Sequence, residues 1–384
     1  MSKNKKSSNN KKARAKKQER FKSAIDMYNY DITRKAPVLS IDEAYRLNKI
    51  ALMREIFEVQ SVSHDSTAME SYITAWIDVN CPEAIVSEDN FGNIYVTKGV
   101  ALTYPCIVSH MDTVHDIIPQ KNYVVLNSNT EFFAINTATR SYTGIGGDDK
   151  CGIFCCLDNL LREEHIKLAF FVDEETGCQG SSYAEMGFFN DVSFVFQADR
   201  KGYHDVAANI LGIEMFDADF YDNIKDILTE YDRDITDGGL TDVMQLAENG
   251  LDVCMANFSC GYYKPHTAAE YVVIDELILT SMLFRDLIKH LYSDGGTYPL
   301  KRNISRHTSR YSYLGYGTGG FDRMDAWDNH NLHQTRSGWS STYGTASIDY
   351  DKCTKCGCKT IYDRDTGLNF CNNCLDYDYG RKYE

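Results

Sequence analysis

The chain has 384 residues, of which 43% are hydrophobic, and a formal net charge of −15. This length accommodates one domain of roughly 250 to 300 residues with appendages. No apolar run reaches the ~18 residues that a membrane helix needs, and the lysine-rich start has no apolar segment typical of a signal peptide, so we expect a cytoplasmic protein without membrane contact. The 13 cysteines then indicate buried thiols and metal ligands rather than disulfides.

Residues 1–22 form a basic tail. They carry eight lysines, two arginines and one glutamate, which leaves a net charge of −24 on the rest of the chain. Because almost no apolar side chain is available for burial, we predict that this tail is disordered. A solubilising role is favoured, and contact with nucleic acid or an acidic protein partner is an open alternative.

Helical and strand patterns begin near Ser40. Ser40 and Glu43 have capping-box spacing, and apolar residues follow at helical intervals as far as Phe57. A second helix is predicted over 67–79, and a hairpin follows with turn residues at 89–93.

Further along, short apolar runs alternate with helical patterns, and the runs at 106–108, 168–171 and 194–196 are predicted strands. The helical patterns include a helix predicted around Ala184 and a long closing helix over 274–291. This alternation is typical of an α/β domain with a largely parallel or mixed sheet. We assign residues 23–292 to this domain.

Histidines and carboxylates follow three of the predicted strands. The residues concerned are His110, Asp112, Glu174, Glu175 and Asp199. Because ligand sites in open α/β sheets gather at the carboxyl ends of strands, we expect these side chains to lie together. A single His-x-Asp is more often a surface turn, and only the repetition of the pattern favours a metal site. Adjacent glutamates at a strand end can divide metal binding from proton transfer.

Two loops complete the set. The glycine-rich loop 142–152 carries Asp148 and opens into an apolar helix. A phosphate-binding loop is the competing interpretation, but its Gly-Lys-Ser/Thr ending is missing and the adjacent carboxylates repel phosphate, which favours a cation. His266 lies in the second loop, where Thr267 and Glu270 have capping-box spacing for a helix. Two histidines and three carboxylates suit two zinc ions that share one carboxylate.

In their residues and in their order along the chain, these motifs resemble those of the di-zinc exopeptidases. This group includes peptidase T, carboxypeptidase G, aminoacylase and the leucyl aminopeptidases. The resemblance runs from about Ile41 to Leu291. It implies a three-layer α/β sandwich of the phosphorylase/hydrolase type with a mixed, mostly parallel sheet. It also implies two Zn²⁺ (or Co²⁺ or Mn²⁺) ions bridged by Asp148, and it assigns the other ligands in two pairs, Glu175 with His266 and His110 with Asp199.

The resemblance further implies that a metal-bridged hydroxide hydrolyses an amide, with Glu174 as general base and Asp112 as the partner of the far ring nitrogen of His110. In this group an Asp at position 199 accompanies aminopeptidases, which predicts an aminopeptidase or tripeptidase acting on a small peptide. Only 66 residues separate Asp199 from His266, so little room remains for a lid domain. Hydrolysis of N-acyl amino acids or another small amidase activity therefore stays open.

An alternative of another class is a non-catalytic interaction protein that acts through the basic tail and the C-terminal segment. The complete set of predicted ligands, with Glu174 beside them, argues against this alternative. Contact of the tail or the C-terminal segment with nucleic acid or protein has no support in the sequence.

The C-terminal segment contains two C-x₂-C knuckles separated by fourteen residues, Cys353 with Cys356 and Cys371 with Cys374. This spacing predicts a zinc ribbon over 351–384 with one structural Zn²⁺, because each knuckle places two thiolates on one side of a tetrahedral ion. Cys358 is an alternative to Cys356. Residues 293–350 hold few aliphatic side chains, and we predict a disordered linker there.

Overall fold

The computed structural model describes residues 41–293 and 295–302, together with three short strands near the C-terminus. It divides into two units, Met1–Asn329 and His330–Glu384. The predicted basic tail and nearly all of the predicted linker lie outside the described residues. In the part that is described, no helix is long and apolar enough to cross a membrane.

The described part of the first unit contains seven α-helices. They are α1 (Glu43–Glu58), α2 (Thr67–Asn80), α3 (Gly147–Leu160), α4 (Gln179–Ser182), α5 (Ala218–Glu230), α6 (Asp242–Glu248) and α7 (Ile274–Tyr292). Helix α1 begins after Asp42, whose carboxylate Oδ1 accepts a hydrogen bond from the amide of Tyr45 at 3.0 Å. Asp42 is therefore the capping residue, and Ser40, the predicted one, lies outside the described residues.

The helix predicted around Ala184 is wrong. Helix α4 is a single turn that ends two residues earlier, and a 3₁₀ turn follows at Met186–Phe189. The amide of Glu185 donates to the hydroxyl of Tyr95 at 2.9 Å, and the Glu185 carboxylate caps the 3₁₀ turn. Contacts with distant parts of the chain thus occupy the groups that a longer helix needs.

The described part of the first unit also contains fourteen strands. They are β1 (Ile85–Glu88), β2 (Ile94–Lys98), β3 (Tyr104–His110), β4 (Tyr123–Asn127), β5 (Glu131–Asn136), β6 (Ser141–Thr143), β7 (Ile166–Phe171), β8 (Val192–Arg200), β9 (Asp205–Ile210), β10 (Ile213–Glu214), β11 (Asp234–Gly238), β12 (Cys254–Ser259), β13 (Tyr262–Tyr263) and β14 (Tyr271–Val273). The predicted hairpin is confirmed, since β1 pairs with β2 in antiparallel fashion and the Asp89 carboxylate accepts from three amides of the turn.

The main sheet has the strand order β1-β2-β7-β3-β8-β12-β9-β10, with β11 paired to β9. Its four central strands, β7, β3, β8 and β12, run parallel, and antiparallel pairs flank them. Every residue of β3, β7 and β12 is buried, so both faces of the sheet's centre are covered. Helices α3 and α6 both contact β3 and β8, and α7 packs on α3. The predicted α/β sandwich with a mixed, mostly parallel sheet is confirmed.

A second sheet carries two of the site loops. Its order is β13-β14-β5-β4, with β6 paired to β5. Strand β6 leads into the glycine-rich loop before Asp148, and His266 lies between β13 and β14. The stretch between Asp199 and His266, which is described throughout, forms β9 to β13 with α5 and α6. No inserted lid domain interrupts that stretch.

The first unit continues beyond residue 292. Val253 forms a bridge with Pro299, and the amide of Cys254 donates to the carbonyl of Tyr298 at 2.8 Å. The guanidinium of Arg302 donates to several carbonyls of the body, among them that of Val253 at 2.7 Å. The predicted boundary between domain and linker is therefore too early, because these hydrogen bonds attach the chain to the body as far as Arg302.

In the second unit, the described residues form three strands, β15 (Ile361–Asp363), β16 (Leu368–Cys371) and β17 (Asp376–Asp378). They make an antiparallel sheet in sequence order. The knuckle cysteines Cys353, Cys356 and Cys374 lie outside the described residues.

Candidate metal centre

Three predicted ligands lie at the ends of neighbouring parallel strands. His110 is the last residue of β3, Glu175 closely follows β7, and Asp199 is the penultimate residue of β8. The strand order places β7, β3 and β8 side by side, so these side chains meet at the carboxyl edge of the sheet.

The other two predicted ligands come from loops at the second sheet. Asp148 stands at the start of α3 with the non-helical angles φ −82° and ψ 102°. The peptide bond between Asp148 and Asp149 is cis. His266 has a positive φ of 61°. These two loops close over the strand ends and bring an imidazole and a carboxylate to the same edge.

Asp148 lies between the two histidines. Its Oδ1 is 3.2 Å from Nε2 of His110, and its Oδ2 is 3.2 Å from Nε2 of His266. Asp199 Oδ1 is 3.7 Å from Nε2 of His110, and Glu175 Oε2 is 3.2 Å from Nε2 of His266. The structure thus brings the five residues together as two groups that share Asp148, and within each group the donor atoms lie within 4.8 Å of one another.

The donor set fits divalent cations. Each group offers imidazole nitrogen and carboxylate oxygen, which are the ligands that Zn²⁺, Co²⁺ and Mn²⁺ accept. Oε1 of Glu175 is buried and has no hydrogen-bond partner among the described residues. A buried charged oxygen without a partner is costly, and a cation at this position would remove that cost.

Burial and mutual repulsion dominate the electrostatics of the carboxyl groups. Burial, followed by the charge of Asp148, raises the pKa of Glu175 to about 7 and that of Asp199 to about 6. The two histidines outweigh the effect of burial on Asp148 and lower its pKa. Burial lowers the pKa of His110, but the carboxylates of Asp112, Asp148 and Asp199 reverse this and raise it well above its usual value. The site therefore has excess negative charge that bound cations would offset.

Glu174 stands beside the ligands without belonging to either group. Its Oε2 is 3.9 Å from Nε2 of His110, and its Oε1 accepts a hydrogen bond from the thiol of Cys178 at 3.2 Å. Burial raises the pKa of Glu174 well above its ordinary value, and Asp199 raises it further against the opposing effect of His110. This carboxyl group can hold a proton next to the ligand groups.

Asp112 contacts Nδ1 of His110, the ring nitrogen that faces away from Asp148. Nδ1 of His110 is 3.0 Å from the backbone carbonyl oxygen of Asp112 and 3.5 Å from its carboxylate Oδ1. The carboxylate accepts hydrogen bonds from the hydroxyl of Ser63 at 2.7 Å and from the amide of Glu174 at 3.0 Å. Asp112 therefore orients both the imidazole of His110 and the backbone that carries Glu174.

The structure adds supporting residues to which the sequence pattern assigned no role. Oδ2 of Asp149 accepts from the Ser109 hydroxyl at 2.6 Å, next to His110. Thr241 donates its hydroxyl to Oδ2 of Asp199 at 2.9 Å, and burial raises the pKa of the neighbouring Asp242 to about 7. The signals in the sequence are the second aspartate of the Asp148–Asp149 pair and the Thr241–Asp242 pair, which Leu240 separates from two glycines.

The capping-box interpretation of Glu270 is wrong. No helix starts there, since Tyr271–Val273 is strand β14. The carboxylate is buried and contacts the glycine-rich loop and His115, because the fold brings these two loops together.

No family model and no curated protein sequence matches the chain. Solved structures are similar to it. An aminopeptidase PepT from Bacillus cereus is 14% identical with a TM-score of 0.54, and the match covers 64% of this chain and 98% of that one. A tripeptidase from Staphylococcus aureus is also 14% identical, with a TM-score of 0.51 and the same coverage.

The chain shares its fold with these two peptidases. At this level of identity the likeness concerns the fold alone, because one fold can carry unrelated functions.

Proposed function

We propose that this protein is a metal-dependent exopeptidase, an aminopeptidase or tripeptidase that hydrolyses small peptides. One observation carries the proposal: Asp148 presents one carboxylate oxygen to His110 and the other to His266, each at 3.2 Å. This is the arrangement expected of a carboxylate shared by two cations. The fold shared with solved structures named an aminopeptidase and a tripeptidase supports the same class of activity.

Two Zn²⁺ ions, or Co²⁺ or Mn²⁺ in their place, are the cofactors we propose. His110 and Asp199 would hold one ion, Glu175 and His266 the other, and Asp148 both. When bound, such cations supply Lewis acidity that lowers the pKa of water and polarises a carbonyl group.

Glu174 is the proposed general base. Its carboxylate, on a side chain that is 13% exposed, lies next to His110 and is not needed to complete either ligand group. It takes a proton from the attacking water on a carboxylate oxygen and delivers that proton to the nitrogen of the leaving amine. Asp112 orients this carboxylate through the amide of Glu174 and orients the ring of His110 through its carbonyl oxygen.

The proposal is tested by assaying the protein with Zn²⁺, Co²⁺ or Mn²⁺ on dipeptides, tripeptides and N-acyl amino acids. We expect hydrolysis of peptides with a free amino terminus, and a loss of roughly 10²- to 10⁴-fold in kcat for Glu174→Gln with metal content unchanged. Glu164→Gln, which replaces an exposed carboxyl group, is the matched control and should retain wild-type activity.

The outcomes separate the alternatives. Cleavage of N-acyl amino acids alone would assign a deacylase. If wild type and Glu174→Gln are equally inert on every substrate, the enzymatic proposal is wrong and a non-catalytic interaction protein is favoured.

For the second unit we propose a structural zinc ribbon. Cys371 ends β16, and the three-stranded antiparallel sheet that contains it is compatible with two knuckles around one tetrahedral ion. For localisation we propose a reducing compartment, the cytoplasm, because the eight cysteines of the first unit are buried free thiols.

A further inference from the structure

Glu270 is a buried carboxylate that belongs to neither ligand group. Its residue is 1% exposed, and it lies four positions after His266, directly before β14. The amide of Glu270 donates to the carbonyl of Thr267 at 3.2 Å, which closes a turn and directs the side chain away from its own loop.

The carboxylate accepts hydrogen bonds from the backbone amides on either side of Gly147. Oε2 lies 2.8 Å from the amide nitrogen of Gly146, and Oε1 lies 3.2 Å from the amide nitrogen of Asp148. Nε2 of His115 is 2.7 Å from the same Oε2. Three loops, which follow β3, β6 and β13, therefore meet at one carboxylate.

This contact depends on the glycines of the loop. A Cβ on Gly147 would lie 2.8 Å from the Cβ of Tyr262 and 3.3 Å from Oε1 of Glu270. A Cβ on Gly144 would lie 2.0 Å from the ring of His115. Such contacts would push the loop away from the carboxylate, so this part of the glycine-rich sequence serves the approach to Glu270 and His115.

We propose that Glu270 is a positioning residue, which fixes the backbone of Asp148 and joins it to the loop that carries His266. This inference rests on the proposed metal centre. Because Asp148 is shared by both ligand groups, a change at Glu270 should weaken the binding of both cations together. A change in a ligand of one group, such as Asp199→Asn, should weaken mainly one.

The test titrates the metal-free, full-length protein with Mn²⁺, which prefers carboxylate and imidazole over the thiolates of the C-terminal segment. Glu270→Gln keeps one acceptor oxygen and Glu270→Ala keeps none. We expect both Mn²⁺ affinities to fall by roughly 10- to 100-fold in Glu270→Ala, with a smaller loss in Glu270→Gln. His115→Ala leaves both amide contacts of Glu270 in place, so it should lose less Mn²⁺ affinity than either Glu270 variant. It keeps the inference testable if the Glu270 variants do not fold.

The control for general destabilisation is Asp158→Asn. Asp158 is also a buried carboxylate, bonded to Lys49 and to the hydroxyl of Ser281, but it contacts no ligand residue. We expect Asp158→Asn to lower the unfolding temperature of the metal-free protein while keeping both Mn²⁺ affinities.

Wild-type affinities in Glu270→Ala, weakening of a single site, or an equal affinity loss in Asp158→Asn would each overturn the positioning role. If wild type itself binds none of Mn²⁺, Co²⁺ and Zn²⁺ outside the thiolates, the proposed metal centre fails, and the inference fails with it.

Discussion

Glu174, whose side chain is 13% exposed, and the buried Glu270 lie beside the same centre, and their surroundings give them different roles. Glu174 faces His110 and holds a raised pKa through burial, whereas Glu270 accepts hydrogen bonds from the backbone on either side of Gly147. The five ligands and Glu174 could be predicted because His110, Glu174, Glu175 and Asp199 follow predicted strands, and Asp148 and His266 lie in the two loops that complete the set. The role of Glu270 could not, because its spacing from Thr267 describes only the local chain, while its partners lie more than a hundred residues away.

Glu276, in the first turn of α7, provides a prediction of pH dependence. Burial raises the pKa of Glu276 to about 7, against the opposing effects of a hydrogen bond from Tyr263 and the charge of Arg233. The folded state therefore binds this proton more tightly than the unfolded chain, whose glutamate pKa is about 4.3. The stability contributed by the protonated form is complete below the unfolded pKa and is lost as the pH rises through about 7.

The glutamine of Glu276→Gln cannot ionise. The free energy of unfolding of this variant minus that of wild type should therefore increase as the pH rises from 4.5 to 7.5. Urea unfolding at several pH values measures this difference. Glu164→Gln, which removes one exposed carboxylate, is the control measured at the same pH values. A pH-independent difference for Glu276→Gln would contradict the prediction.

At the scale of elements, the strand end that carries Glu174 is held by a contact between β7, the β1–β2 hairpin and α4. The amide of Gly180 donates to the carbonyl of Val172 at 2.9 Å, and the Asn93 side chain bonds to both residues. A Cβ on Gly180 would lie 2.3 Å from the carbonyl oxygen of Val172. Because that oxygen belongs to the backbone, it cannot move aside without displacing the strand end.

Gly180→Ala should therefore destabilise the protein by about 1–3 kcal/mol and reduce the proposed peptidase activity, since it displaces the backbone before Glu174. Denaturant unfolding and kcat measure the two effects. Gly239→Ala is the matched control, because a Cβ there would meet no atom of the described residues within 4 Å. Equal stability of the two variants would show that the α4 contact relaxes without cost.

Most elements could be predicted from periodicity, among them α2, the β1–β2 hairpin and the buried strands at the sheet's centre. The helix around Ala184 could not, because the Tyr95 hydroxyl from another strand takes the amide of Glu185. The end of the domain could not be predicted for a similar reason. The residues up to Arg302 have little apolar character, and the Arg302 guanidinium attaches them to the body by donating hydrogen bonds to the carbonyls of Met215 and Val253.

At the scale of the whole molecule, the chain has two units, and we expect metal sites of two kinds. Full-length protein should contain three zinc ions, two at the carboxylate and histidine groups and one at the knuckles. Cys371→Ser should lose one zinc ion and retain the proposed peptidase activity, because the proposed ribbon takes no part in that chemistry. Zinc content after dialysis, measured by atomic emission, checks this expectation.

Cys358→Ser is the control for the ribbon and should keep all three ions. If Cys358→Ser loses a zinc ion and Cys356→Ser does not, Cys358 is the ligand in the first knuckle. Two zinc ions in the wild-type protein would contradict the presence of one of the two kinds of site.

The sequence by itself determined the α/β class and the candidate ligands, because alternating apolar runs and polar strand ends are local properties that the chain displays directly. Only the tertiary structure decided that Asp148 lies between His110 and His266, that Asp112 contacts His110 mainly through its carbonyl oxygen, and that Glu270 joins the loops. These facts depend on strand order and on the packing of two sheets, which bring together residues that no local pattern connects.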